Sequence, residues 1–136
     1  MFSSENHAGR LVELRVSTPT DADEIEELKR VHIKVMLAVD GQCIVAVDMR
    51  GAMVFPPGIA DHFIKLMSTA NPKVLRSAIL VSESAVLGLQ AERAIQEAGG
   101  ADRKVFRQTA ELEAWLDEVL DAQEMSALRR FLDAQP

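Results

Sequence analysis

The chain has 136 residues, 48% of them apolar, with a formal net charge of −6 and a pI near 5.0. That describes one acidic globular domain, able at this length to bury roughly two-thirds of its unfolded surface. The acidity argues against a nucleic-acid backbone as partner, no apolar run approaches the ~20 residues of a membrane span, and the single cysteine, Cys43, excludes an internal disulfide or a multi-cysteine metal site.

The first residues, MFSSENHA, lack the charged start and apolar block of a secretory signal. They read as a loose tail (1–8) ahead of a single domain (9–136). The lone thiol suits a reducing, cytoplasmic setting. Val12, Leu14 and Val16 alternate with Glu13 and Arg15, so Arg10 to Val16 reads as a half-buried strand. Pro19, Asp21 and Asp23 mark a helix start, and Asp21 to Glu24 has capping-box spacing. Ile25, Leu28, His32, Val35, Met36 and Val39 then share one helical face. Val31, Ile33 and Val35 also alternate, and Asp40-Gly41 is a hairpin signal. The unbroken stripe favours one helix from about Asp21 to Ala38 over a hairpin.

The run CIVAV (Cys43 to Val47) suits a strand buried on both faces, ended by Asp48. Pro56 and Pro57 open a helix with a stripe of Ile59, Phe63, Leu66 and Met67, stopped by Asn71-Pro72. SAILV (Ser77 to Val81) is a second buried strand. Ser84 caps a helix carrying Val86, Leu87, Ala91, Ala94, Ile95 and Ala98, which Gly99-Gly100 ends. Lys104 to Phe106 is a short edge strand. Leu112, Trp115, Leu116, Val119 and Leu120 make an amphipathic helix, and Asp121 with Glu124 starts another carrying Met125, Leu128, Phe131 and Leu132. These two helices should dock on the domain or on a second copy. The order βαβαβαβα plus a final helix predicts an α/β fold with a mostly parallel sheet.

Candidate chemistry is sparse. No phosphate-binding glycine loop follows a strand. Asp48 sits at the carboxyl end of a central strand, where α/β folds place ligands. A phospho-accepting aspartate needs further carboxylates for Mg²⁺ and a lysine, but the first strand ends in Ser17-Thr18 and SAILVSES offers no lysine; Asp48 reads better as a partner of the following turn amides. His7, His32 and His62 have no metal-ligand spacing. Cys43, at a strand start, reads as buried and inert. Ser82 and Ser84 flank a helix start, where capping is the common role. Arg103, Lys104 and Arg107 suit an acidic partner or a charge-protected edge.

The stretch VAVDMRGAMVFPPGIADHFIKL resembles the central segment of STAS domains, the anti-sigma-factor antagonists and their SpoIIAA-like relatives. Val45 to Asp48 matches the apolar strand ending in Asp, Pro56-Pro57-Gly58 occupies the turn, and Ile59 opens the helix. SAILVS and VFRQTAELEAWL extend the likeness over residues 9 to 120. The resemblance implies a sheet with helices packed mainly on one side, a mixed edge, no cofactor, and a non-catalytic role in binding another protein. In the antagonists a serine at this turn is phosphorylated. Pro56 and Pro57 stand there in this chain, so that switch is missing.

The expectation is therefore a regulatory protein-binding domain whose contact residues are Arg50, Met53, Val54, Phe55, Pro57, Ile59 and His62. Met53, Val54 and Phe55 are apolar in a loop, which can mark a docking site; inward packing is the commoner outcome. A homodimer through the C-terminal helices is a further expectation. The first rival is a small apolar-ligand module with a pocket of Phe55, Phe63, Met67 and Trp115. The second is an enzyme using Asp48 with His62.

Overall fold

The structure, a computed structural model, describes residues 1–18 and 20–134. Eleven residues after the start the chain has already turned back on itself: β1 (Phe2–Ala8) and β2 (Leu11–Val16) form a hairpin. Then follow α1 (Ala22–Leu37), β3 (Cys43–Met49), α2 (Pro57–Ala70), β4 (Val74–Val81), α3 (Ala85–Ala98), β5 (Asp102–Phe106), α4 (Thr109–Asp117) and α5 (Ala122–Asp133). The helix starts follow the cap chemistry. Asp21 accepts the Glu24 amide, Ser84 accepts the Leu87 amide, and Asp121 and Glu124 form a reciprocal capping box. Pro57 takes the first position of α2, where its missing N–H costs nothing. Pro19 of the expected α1 start lies outside the described residues.

The sheet order is β1-β2-β3-β4-β5, consecutive along the chain. β2 to β5 run parallel, and β1 runs antiparallel to β2 at one edge, so the sheet is mixed. Alternation along each strand divides two cores. On one face Val12, Leu14, Val45, Val47 and Ile79 pack against Ile25, Leu28 and Met36 of α1, Phe63 and Leu66 of α2, and Leu87 and Ala91 of α3. On the other, Leu11, Ile44, Ala46, Ala78 and Leu80 pack against Leu112 and Leu116 of α4 and Met125, Leu128 and Phe131 of α5. β3 is buried at every residue because both faces are covered.

Three expectations need correction. Residues 1–8 are not a loose tail: β1 pairs from Phe2↔Val16 to Ala8↔Leu11. Its turn is made by Gly9 at φ +49°, a conformation that glycine adopts without steric cost, and by the Asn6 amide donating to the Gly9 and Leu11 carbonyls at 3.0 and 2.7 Å. Second, helices cover both faces, three on one and two on the other. The apolar stripes of α4 and α5 are spent on the chain's own sheet. Third, Asp48 does not end β3; it lies within the strand, wholly buried. Where the sequence left α1 open to a hairpin reading, residues 22–37 are helical.

Candidate functional site

The site begins with the strand that delivers it. Asp48 points to the α5 face, in register with Arg15 of β2. Arg15 Nε donates to Asp48 Oδ2 at 2.9 Å, and Arg50 donates to both carboxylate oxygens through Nε and Nη2 at 2.9 Å, with its backbone N–H adding a third bond at 3.0 Å. Burial pushes the Asp48 carboxyl up, but the Arg50 and Arg15 guanidiniums outweigh it and hold it below the usual carboxylate range. The same arginines reach onward to the end of α5: Arg15 Nη2 donates to Phe131 O, and Arg50 Nη2 to Leu132 O at 2.8 Å. Two cations thus meet a buried carboxylate and the negative end of a helix. This is a clamp that docks α5.

Past the clamp the loop turns outward. Met53 is 72% exposed and Val54 48%. Phe55 turns back in, packing its ring 5.0 Å from that of Phe63. Gln90 of α3 fixes this turn. Its side chain accepts from Phe55 N at 3.0 Å and donates to Phe55 O at 2.7 Å. Val86 and Leu89, 54% and 69% exposed, lie on the same helix one turn and one residue before Gln90. Exposed apolar side chains therefore stand both on the loop after β3 and on the first turns of α3 after β4, two segments joined by the Phe55–Gln90 bonds.

Beneath Phe55, between the sheet and α1 to α3, lies a mainly apolar cavity of about 80 Å³. Phe55, Phe63, Met67, Ile79 and Leu87 line it, with His32, Ser77, Gln90 and Arg103 as its polar members. His32 Nδ1 meets Ser4 Oγ at 2.8 Å, and burial pushes its imidazole down to about 4, so the ring is neutral near pH 7. Across the sheet a more polar cleft opens between β1, β2 and α5. There His7 bridges Glu5 and the buried Glu13. The hydrogen bond that His7 donates to Glu13 outweighs partial burial and raises the His7 pKa.

The expected contact residues separate. Met53, Val54 and Pro57 are exposed. Phe55 and Ile59 are buried, because the loop needs inward anchors, and Arg50 is committed to Asp48. His62 is half-buried, 3.2 Å from Glu26 and 3.3 Å from Lys29 on α1. The expected pocket also divides. Phe55, Phe63 and Met67 share the cavity, but Trp115 lies on the opposite face, 5.6 Å from Phe106 and beneath Arg76 and Lys104. Asp48 and His62 likewise belong to opposite faces, so no dyad forms. Gln90, Val86 and Leu89 escaped the sequence reading as site residues, because an exposed leucine on a helix carries no signal until its neighbours are known. No protein-family model, no curated protein and no solved structure matches the chain. Among the described residues there is no cluster that could hold a metal ion and no helix long and apolar enough to cross a membrane.

Proposed function

We propose that this chain is a non-catalytic, STAS-like regulatory domain that binds another protein through the loop 50–58 and the start of α3. The observation that carries the reading is the outward-facing group Met53, Val54, Val86 and Leu89, held on a rigid base by the Phe55–Gln90 latch. Apolar side chains cost solubility, and a cluster of them on an anchored loop is typical of an interaction surface. Ligands of parallel α/β sheets also gather at this strand end. The antiparallel edge strand and the packing of α1 to α3 on one face are in keeping with the STAS resemblance. The α4–α5 layer on the other face departs from it. With proline at the turn, binding is not switched by phosphorylation there.

The test is a pull-down from native lysate with the full chain beside Met53→Asp, Val54→Asp and Leu89→Asp. Each replaced side chain is largely exposed, so all three variants should keep the wild-type circular dichroism. The reading expects one protein captured by wild type and lost with the variants, but retained by Leu37→Asp, which alters an apolar residue at the opposite end of α1. Equal capture by every variant would refute it.

A further inference from the structure

One row of the sheet crosses from apolar to polar. Val12, Val45, Ser77 and Arg103 are successive register partners on β2 to β5, all facing α1 to α3. Val12 and Val45 are core residues. Ser77 and Arg103, side by side, line the cavity beneath Phe55. Ser77 is 4% exposed, and its hydroxyl has no hydrogen-bond partner among the described residues. No fully enclosed side-chain polar atom is left stranded there, so this hydroxyl reaches the cavity space.

Arg103 is 8% exposed. Its Nη1 donates to Asn71 Oδ1 at 2.6 Å and to Gly99 O at 3.2 Å, and its Nη2 donates to Met67 O at 2.9 Å. These bonds tie down the ends of α2 and α3. They leave Nε–H and one Nη2–H without a protein acceptor, since a guanidinium carries five N–H donors. No carboxylate pairs with Arg103 among the described residues, whereas Arg15 and Arg50 share Asp48 and Arg76 pairs with Asp102 and Glu118. A buried cation held only by neutral acceptors, beside a free hydroxyl and against apolar walls, is suited to an anion.

We propose that the cavity binds a small monocarboxylate with a short apolar tail. The carboxylate accepts from the Ser77 hydroxyl and from the free N–H groups of Arg103, and the tail lies among Phe63, Met67, Ile79 and Leu87. The volume of about 80 Å³ limits the tail to a few carbons. His32, neutral in its apolar setting, adds no competing charge. The carboxylate site does not rest on the docking surface, although Phe55 and Gln90, which latch the loop, also line the cavity.

The test is an NMR titration of the full chain, following backbone amides and the Arg103 Nε–H, with straight-chain carboxylates from butyrate to octanoate and their matching primary amides. At least one carboxylate should shift Ser77, Arg103 and Leu87 saturably, with its amide binding at least about tenfold more weakly, because a charge-assisted pair is roughly twice as strong as a neutral one. Ser77→Ala removes one donor without touching the helix-end bonds. It should keep the fold and weaken that carboxylate by about tenfold. No saturable shift with any chain length, equal binding of acid and amide, or an unchanged affinity in a folded Ser77→Ala would each overturn the proposal.

Discussion

Asp48 sits with no exposed surface beneath two arginines, each about one-fifth exposed. Asp48→Asn keeps the shape but leaves both guanidiniums without their countercharge. The expected loss is about 3 kcal/mol in urea unfolding, at the low end for a broken buried pair because the arginines stay partly solvated. The pH dependence at this residue follows from its lowered pKa. The native state binds the proton less readily than the unfolded chain, so the stabilisation is full above the unfolded pKa and is lost as pH falls through the folded one. His32 acts over a higher window. With its folded pKa near 4 against 6.5 unfolded, the unfolded chain takes up a proton that the folded one refuses. Stability should fall by about 3 kcal/mol between pH 6.5 and 4 from this group alone. His32→Gln should flatten that part of the profile, which urea melts at successive pH values would read. His7 has the opposite sign. Its raised pKa means the pairing with Glu13 and Glu5 stabilises at low pH and is lost as pH rises through the folded value. His7→Gln should remove that alkaline decline.

Among the elements, α5 is fastened at three places. Glu124 Oε2 accepts the Arg10 amide at 2.6 Å at its start, Leu128 is wholly buried in its middle, and the Arg15–Arg50 clamp holds its end. Leu128→Ala should cost about 2–5 kcal/mol, as for large-to-small changes in a close-packed core. Removing α5 would bare part of the second core, Leu11 of β2 included, and should bring aggregation on heating, visible by light scattering. The elements also show what the sequence made legible. α1 was readable because Asp21 caps it and its stripe runs unbroken. β3 and β4 were readable because a strand covered on both faces must be apolar throughout. β1 was not readable, since SSENH is polar and its inward residues, Phe2 and Ser4 on one face and Ala8 on the other, make no apolar alternation. Its placement depends on a turn at Gly9 and on pairing with β2, neither of which periodicity reports. The covering of the second face by α4 and α5 was missed for a related reason. Amphipathic stripes say that a helix docks, not on which face.

Over the whole molecule, the candidate site divided along the same line. The sequence marked the loop 50–58 through its apolar residues and prolines, and the structure turns Met53 and Val54 outward while using Phe55 and Ile59 as anchors. Trp115 could not be assigned to a face without the α4 position. Val86 and Leu89 join the surface only because the consecutive sheet order brings the starts of α2 and α3 to one end. The central claim is that this end, and not the rest of the surface, meets a partner. The most direct measurement is site-specific photo-crosslinking in cells, with the crosslinker at position 53 or, as control, at position 37, which is equally apolar and exposed but lies at the end of α1. A discrete crosslinked protein from position 53 that is absent from position 37 is the predicted result. No adduct at 53, or the same adducts from both positions, would contradict it.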